Sequence, residues 1–448
     1  MQAPEAVRDP PPPRPALAGI AERLIGDLGI VRLAGPANRQ AGAPAFFHFW
    51  AQAADTGTFV RQRNFAKTGG AATDRDRALA KALGEAVERY CAAIYDREEL
   101  LLRTAEAAEF AVADPADFAL NSTSQYAEPG FRFVPFDSQT PVRWTPATDA
   151  VTGAVVSVPA AMVYVPYFYA PGSGDSPIAQ PISTGLACHE SFEQAAIGAL
   201  NEVIERDAFT ITWQAALAPA RLDLTTLPDD LSGLVERFRR ARYSVTLFDI
   251  TLDSGVPTIL AVSRHPSEEC PAVVVAASSS LDPAHAVRGS LEELAHTGHY
   301  CQAITTHVPR LEVSDGASAV IDQRSHLNYW CDHANAAQID FLFASPVCRA
   351  YSDLPVAVSG SPAGDLAQLA SRVAATGHRP FLCDLTTPDV AGAGLSVVRA
   401  VVPGYHPLVS GHRYRALGGR RLWEVPQRLG FRGTSPALGD NPRPHPYP

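Results

Sequence analysis

Two segments of the chain, far apart in sequence, carry two glutamates and an arginine in the same eight-residue pattern. ALGEAVER spans residues 82–89 and ALNEVIER spans residues 199–206, and both fit Ala-Leu-x-Glu-x-x-Glu-Arg. A spacing of three places the two glutamates of each segment on one face of a predicted helix. The neighbouring leucine, valine and isoleucine positions face a core, so the carboxylates lie at the edge of buried surface, where their charge must be neutralised. These glutamates are Glu85, Glu88, Glu202 and Glu205.

Two interpretations account for this charge. Arg89 and Arg206 complete the two segments and can offset part of it, as ordinary Glu–Arg pairs on surface helices would. The repetition favours the alternative that both helices face one site, where four hard oxygen ligands suit magnesium. Magnesium usually keeps water ligands and is shared with substrate phosphates, which points to ATP. The pattern therefore predicts a magnesium–nucleotide site.

A third segment, AVRGSLEELAHTGHY over residues 286–300, adds charged groups of both signs. Arg288 and Glu292 are four residues apart and share a helix face. Arg288 can hold a phosphate and Glu292 can join the metal ligands. An ordinary ion pair between the two explains the spacing equally well, so both interpretations stay open.

Other catalytic or metal motifs find less support. Glu293 and His296 match half of a di-iron site, but such sites use two Glu-x-x-His pairs and the chain supplies one. His296 and His299 have no Cys/His partner motif for zinc, so packed or capping histidines fit better. The chain contains neither GxxxxGK[ST] nor GxSxG, which excludes a P-loop ATP site and a nucleophile elbow.

Hydrophobic periodicity predicts helices over about 76–95, 191–217 and 283–304, which carry the three segments. Strands are predicted between them, and their interleaving with helices indicates a mixed α/β fold. Residues 1–16 and 433–448 are Pro-rich and flank a domain over residues 17–432, with subregions of about 17–150, 151–305 and 306–432. The predicted strands are 46–50, 58–65, 155–168, 244–250, 258–263, 272–278, 381–385 and 395–404.

Composition narrows the protein class. The net charge of −10 over 448 residues argues against nucleic-acid binding, which usually needs a basic patch. The chain has no apolar run of about 18 residues and no signal-peptide core, so no membrane span is expected. Seven scattered cysteines without a CxxC motif predict reduced thiols and a cytoplasmic protein.

Three segments together closely resemble the signature regions of the YcaO family. They are ALGEAVERY, STGLACHESFEQAAIGALNEVIERDA and AVRGSLEELAHTGHY, and the similarity runs in the expected order over roughly residues 25–448. The ending, with Pro442, Pro444, Pro446 and Pro448, resembles the C-terminus of azoline-forming members, which make thiazole/oxazole-modified microcins. The resemblance implies a non-P-loop fold with the nucleotide between the glutamate-bearing helices. It also implies ATP-dependent cyclodehydration of Cys, Ser or Thr in a ribosomal precursor peptide.

The resemblance also assigns roles to single residues. The four repeated glutamates would hold the magnesium ions, and the carboxylate of Pro448, at the end of a tail that enters the active site, would be a candidate base for the amide proton. Arg288 would also offset charge on the transferred phosphoryl group. The residues that would contact or position ATP are Ser183, Arg206, Arg288 and Glu292.

The chain departs from the family pattern around the nucleotide. Many members carry Gly-Lys-Gly where this chain has residues 70–72, Gly-Ala-Ala, and Lys81 would supply the missing cation from the first helix. His189 and Glu190 stand where many members have Gly-Asn, and Gln194 stands where a further glutamate is common. These differences affect the expected nucleotide contacts and leave the four glutamates intact.

The resemblance implies partners as well as a reaction. A precursor peptide is the expected substrate, and a homodimer is common in the family. The chain has no obvious leader-binding module ahead of its first signature, so a separate ThiF-like partner protein is expected. Two alternatives remain: a thioamide- or amidine-forming member, and a non-catalytic docking scaffold of the same fold.

Overall fold

The computed structural model describes residue 19, residues 24–26, 29–311, 318–431 and 435–448. The Pro-rich residues 1–16 and the first two residues of the predicted 433–448 tail lie outside this set. The remaining fourteen residues of the tail, 435–448, are described.

The helices alternate with strands along the chain. Each helix that carries a signature segment begins at a residue whose side chain caps it: Asp74 accepts from the Arg77 amide, Ser191 from the Gln194 amide and Asp282 from the Ala284 amide. The helices are α1 (Arg75–Ala92), α2 (Thr123–Tyr126), α3 (Phe192–Gln214), α4 (Asp229–Arg240), α5 (Pro283–His307), α6 (Gln323–Cys331), α7 (Pro362–Ala375), α8 (Pro388–Gly392) and α9 (Arg420–Arg428).

The strands form three sheets. They are β1 (Val31–Pro36), β2 (Phe47–Ala53), β3 (Lys67–Ala72), β4 (Leu101–Arg103), β5 (Val142–Asp149), β6 (Val155–Pro159), β7 (Leu186–His189), β8 (Ala220–Leu222), β9 (Ser244–Asp249), β10 (Thr258–Arg264), β11 (Val273–Ser279), β12 (Cys348–Arg349), β13 (Phe381–Asp384) and β14 (Ser396–Val401). The strand orders are β1-β2-β3, β11-β10-β9-β8-β12 and β4-β5-β13-β14-β7, with β6 beside β5. Neighbouring strands are antiparallel except β12 and β8.

The three signature helices converge because each of them contacts two sheets. Helix α1 lies on β2 and β3 and also reaches β7, while α3 lies on β7 and β14 and reaches β11. Helix α5 covers β10 and β11 and contacts β3. The six-stranded sheet joins strands from all three predicted subregions of the domain. The mixed α/β fold predicted from the sequence is confirmed.

Two of the predicted strands are wrong in whole or in part. Thr56 begins a short 3-10 helix, and the following residues up to Ala66 form no strand, because the Thr56 hydroxyl bonds the Gln62 carbonyl at 2.6 Å and Asn64 bonds the Ala54 carbonyl at 3.0 Å. These side-chain bonds replace a strand ladder. The predicted strand 155–168 ends at Pro159, where the backbone turns into a 3-10 helix over Ala160–Met162.

Candidate active site

The first glutamate of each repeated segment is held by a glycine amide. The Gly69 N–H, on β3, donates to Glu85 Oε2 at 3.3 Å, and the Gly185 N–H, in the turn before β7, donates to Glu202 Oε2 at 3.0 Å. A Cβ on Gly69 would lie 2.6 Å from the His296 ring, and one on Gly185, which has φ +85°, would lie 2.5 Å from the Ala400 carbonyl oxygen. The turn at Gly185 therefore requires glycine, and at Gly69 on β3 a larger residue would have to displace the His296 ring.

The second glutamate of each segment is the one whose acidity is most altered. Burial, together with the negative charges of Glu85 and Glu202, raises the pKa of Glu88 to about 8. Burial also raises the pKa of Glu205 to about 7, although Arg206 and a hydrogen bond from Tyr447 oppose the change. The charges of Glu85 on α1 and Glu202 on α3 both act on Glu88, so the carboxylates of the two helices lie near each other.

The arginine that ends each segment offsets part of this negative charge, as predicted. Arg89 Nη2 lies 3.0 Å from Glu85 Oε1. Arg206 lies 3.5 Å from Glu202 Oε1 and 3.2 Å from Glu205 Oε1. Although burial opposes it, the nearby Tyr447 hydroxyl and the acidic neighbours raise the pKa of Arg206 above its ordinary value, so it stays charged.

The C-terminal residues lie directly against α3. Arg206 Nη1 donates to the Pro448 carboxyl-terminal oxygen at 3.1 Å, and its guanidinium carbon lies 4.5 Å from the centre of the Tyr447 ring. The Tyr447 hydroxyl donates to Glu205 Oε1 at 2.6 Å. The last two residues therefore contact the second repeated segment.

Several further contacts fix the tail. Trp213 and Trp330 donate their indole N–H groups to the backbone carbonyls of Arg443 and Pro444 at 3.0 and 2.9 Å. His445 stacks on a buried histidine of α6, with ring centres 3.8 Å apart. Tyr447 is only 1% exposed and belongs to the main apolar core. The end of the chain is thus part of the packed interior.

The charged residues assigned to nucleotide contacts pair with other charged side chains. Lys81 Nζ lies 2.6 Å from Glu292 Oε2, and Arg77 lies 3.7 Å from the same oxygen. Arg288 pairs with Asp230 at the start of α4 rather than with Glu292. The suggested ion pair between Arg288 and Glu292 is therefore wrong, because each side chain has a partner on another helix.

Ser183 occupies the turn that holds the second repeated segment. Its carbonyl accepts from the Leu186 amide at 3.1 Å, which closes the turn around Gly185. The Gly185 amide donates to Glu202, so Ser183 lies two residues from a direct contact with the second repeated segment. Ser183 is partly buried.

Glu293, rather than its neighbour Glu292, faces the repeated glutamates. Burial would raise the pKa of Glu293, but its bond to His296 and the charges of His296, Lys81 and Arg206 outweigh burial and lower it to about 2. The charge of Glu293 in turn raises the pKa of Glu205. Burial would lower the pKa of His296, but Glu293 and Glu85 outweigh it and raise the pKa.

Sequence reasoning considered Glu293 with His296 as a di-iron half-site and His296 with His299 as zinc ligands or packed histidines, and it missed this role. Their i,i+3 spacing was the available signal. Arg399, a buried residue of β14, was also missed, and the charge of Glu202 acts on it. Nothing in the local pattern of β14 marks this arginine.

The donor set fits a hard divalent cation bound together with phosphate. Within the described ranges, no group of three or more His, Cys, Asp or Glu side chains is arranged to hold a metal ion by itself. Magnesium typically takes only one or two carboxylates and completes its shell with water and phosphate oxygens. Burial, with a smaller effect of neighbouring carboxylates, raises the pKa values of Glu88 and Glu205, and a bound cation would favour their charged forms.

The sequence matches a family model over residues 69–406, most of the chain. That model describes the YcaO cyclodehydratases, which bind ATP and Mg2+. The chain belongs to the YcaO cyclodehydratase family. At the level of the family, its cofactors are ATP and Mg2+.

Individual relatives and solved structures are similar to this chain. An uncharacterized protein of Methanothermobacter thermautotrophicus is 32% identical over 231 residues, 51% of this chain and 56% of that protein. A heterocyclase solved with substrate and cofactor superposes with a TM-score of 0.79 at 22% identity, over 96% of this chain and 57% of its own. A YcaO protein of Methanopyrus kandleri, bound with AMPPCP and Mg2+, gives a TM-score of 0.61 at 20% identity, over 87% and 88% of the two chains. The chain thus spans little more than half the length of the first two, and these two structures establish the fold alone.

Proposed function

We propose that this chain converts Cys, Ser or Thr residues of a ribosomally made precursor peptide into azoline rings, with ATP as the phosphoryl donor. One observation carries the proposal: Arg206 joins the repeated glutamates to the chain terminus. It contacts Glu202, Glu205 and the Pro448 oxygen. A phosphate site and a carboxylate base could therefore act on the same peptide bond.

The chemistry needs a leaving group, because a peptide carbonyl oxygen does not depart by itself. The side-chain sulfur or oxygen of the substrate attacks the preceding carbonyl carbon and forms a tetrahedral centre. Its oxygen takes the γ-phosphoryl group of ATP, and the C–O bond then breaks to release phosphate while the amide proton is lost. The ring product has lost one water relative to the peptide. Its oxygen leaves in the phosphate, and its two hydrogens leave as the proton of the attacking thiol or hydroxyl and the amide proton.

The residues of this chain supply the positioning and the proton transfers. Glu85, Glu88, Glu202 and Glu205 would hold magnesium, which neutralises charge on the phosphoryl oxygens when it is bound. Lys81, Arg206, Arg288, Glu292 and Ser183 remain the proposed nucleotide contacts, with Arg288 also proposed to offset charge on the phosphoryl group. The Pro448 carboxylate is proposed to take the amide proton, because Arg206 donates to it and fixes its position.

The reaction also requires partners. We propose a precursor peptide as substrate, a ThiF-like protein that captures its leader, and pairing of two copies of this chain. All seven cysteines are free and, within the described ranges, no helix is long and apolar enough to cross a membrane. Both observations support our proposal of a cytoplasmic enzyme.

The tail should be tested without deleting it. Deleting residues 444–448 would remove the buried Tyr447 and disturb the core, so loss of activity would be ambiguous. Adding one alanine after Pro448 moves the carboxylate, and converting Pro448 to its C-terminal amide removes the charge while keeping the length. Both changes should leave Mg-AMPPCP binding within about twofold and slow ring formation by about 10²-fold or more.

The measurement is mass spectrometry of precursor peptides after incubation with Mg-ATP and the partner protein. The expected product has lost one water per ring, and an 18O label in the attacked amide should appear in the released phosphate. A product that gained sulfur or nitrogen would replace this proposal with thioamide or amidine formation. Unchanged ring formation by both altered termini would remove the role assigned to Pro448.

A further inference from the structure

An apolar cavity of about 110 Å³ lies beside the second repeated segment. Phe133, Met162 and Tyr414 contribute to its walls, and Arg206 and Arg399 contribute charged groups. Arg206 also bonds the Pro448 oxygen, so the cavity adjoins the tail. Its volume approaches that of the ~150 Å³ apolar cavity known to accept benzene in another protein. It can therefore take one large apolar side chain.

Arg399 brings an incompletely bonded cation to this cavity. The residue is 4% exposed, and its Nε donates to the Met162 carbonyl at 3.0 Å. Its Nη1 makes no hydrogen bond within the part of the chain that the structure describes. Burial lowers the pKa of this guanidinium to about 10. A buried donor without a partner is costly, which indicates that a ligand supplies the missing acceptor.

A buried acceptor lines the same cavity. Gln180 Oε1 is inaccessible and has no hydrogen-bond donor among the described residues. Arg399 Nη1 and Gln180 Oε1 together offer one free donor and one free acceptor. A peptide unit carries the complementary pair, one C=O acceptor and one N–H donor. The cavity therefore suits a peptide backbone with an apolar side chain.

We propose that the cavity binds the precursor-peptide residue that precedes the cyclised Cys, Ser or Thr. Its side chain fills the apolar space, Arg399 donates to its backbone carbonyl oxygen, and Gln180 accepts from its backbone amide. The charge of Glu202 acts on Arg399, so a carbonyl bound there lies next to the proposed metal carboxylates. This inference rests on the proposed function and adds a preference for an apolar residue before the ring position.

A nucleoside is the competing occupant. The residues that line the cavity include no Asp or Glu, so the magnesium that accompanies the phosphates would have no ligand in it. Of the proposed nucleotide contacts, Arg206 lines the cavity, whereas Lys81, Ser183, Arg288 and Glu292 do not. These observations favour the peptide, and the experiment separates the two.

The test uses blocked tripeptides, N-acetyl-Xaa-Cys-Gly-amide, with Xaa as leucine, glycine or aspartate. Their affinities are measured by ligand-observed NMR on the full chain, with and without Mg-AMPPCP. Leucine should bind about tenfold more tightly than glycine, a difference of about 1.4 kcal/mol, and aspartate should bind no better than glycine. Leucine binding no better than glycine would overturn the proposal.

Two variants locate the preference in the cavity. Ala179→Leu fills it from one wall and should abolish the preference for leucine, whereas Ala116→Leu, an exposed control, should keep it. Arg399→Gln should weaken all three tripeptides about tenfold, and Arg399→Lys should restore part of the loss. A retained preference in Ala179→Leu would contradict the assignment.

Mg-AMPPCP binding by the same variants distinguishes this inference from the proposed function. It should be unchanged in Ala179→Leu and Arg399→Gln, which also shows that they are folded. If Ala179→Leu loses Mg-AMPPCP affinity while its thermal midpoint is unchanged, the cavity holds the nucleoside and the inference is wrong. If the unaltered protein binds no Mg-AMPPCP, the proposed function fails, while the tripeptide series measured without nucleotide still decides the cavity.

Discussion

Replacing Glu202 with glutamine should affect folding and nucleotide binding in different ways. Glutamine keeps an acceptor for the Gly185 amide, which is 3.0 Å from Glu202 Oε2, but removes the negative charge. The 3.5 Å contact with Arg206 is partly exposed to solvent, so its loss costs under about 1 kcal/mol. Removing the charge also relieves its repulsion of Glu88, whose pKa it helps to raise. These effects have opposite signs, so the free energy of unfolding of the metal-free protein should change by less than about 1 kcal/mol.

Mg-AMPPCP binding should fall much more. A proposed metal ligand loses its charge, and contacts of charged groups are typically worth about 1.5–3 kcal/mol. This range corresponds to a Kd higher by about 10- to 150-fold. The predicted result is thus a variant that folds as well as the original protein and binds the nucleotide poorly.

Calorimetry with Mg-AMPPCP and urea unfolding in EDTA measure the two quantities. Glu236→Gln is the matched control, because Glu236 pairs with Arg239 and Arg240 on the surface of α4 away from the cluster. The control should leave nucleotide affinity unchanged. Wild-type affinity in Glu202→Gln would refute the metal role of this residue. A loss of more than about 3 kcal/mol in stability would instead show that the carboxylate is structural.

Two further predictions concern the anchored tail. Tyr447→Phe loses the hydroxyl that donates to Glu205 and accepts from the Ala277 amide at 3.1 Å. Its free energy of unfolding in urea should therefore fall by about 2–4 kcal/mol, and a fall below about 0.5 kcal/mol would contradict the anchoring. His326 stacks on His445 and faces His412, and Arg206 also acts on His445. Burial lowers the pKa of His326 to about 3. The unfolded chain therefore binds a proton near pH 6.5 that the folded chain excludes, so stability falls as the pH drops below 6.5. His326→Gln lacks this titration, so between pH 7 and 5 its free energy of unfolding should fall by about 2 kcal/mol less than that of the original protein. Equal falls in urea unfolding would show that His326 does not contribute.

Periodicity predicted the three signature helices well because their apolar faces are long and regular. The predicted ranges 76–95, 191–217 and 283–304 compare with Arg75–Ala92, Phe192–Gln214 and Pro283–His307 in the structure. The segment 58–65 was assigned wrongly, since Thr56 and Asn64 form side-chain bonds to the backbone that no apolar pattern reveals. Local side-chain bonds of this kind compete directly with strand pairing.

The site was predictable only to the level of helix faces. Spacing placed Glu85 with Glu88 and Glu202 with Glu205, but it could not determine which of Glu292 and Glu293 faces them. That choice depends on how α5 crosses the other two helices, and the crossing is set by contacts with β3, β10 and β11. The bonds made by the tail depend on contacts between residues more than 200 positions apart, such as Arg206 with Pro448.

The repeated segments build two similar half-sites that differ around the second glutamate. In each, the first glutamate accepts a glycine N–H and pairs with the arginine four residues later. The second glutamate has a raised pKa, but a backbone amide of Cys188 bonds Glu88, whereas the Tyr447 hydroxyl bonds Glu205. Only the α3 half therefore touches the chain terminus. Under the proposed function, we therefore expect the peptide to react on the side of the α3 half, which is also the side of the Arg399 cavity.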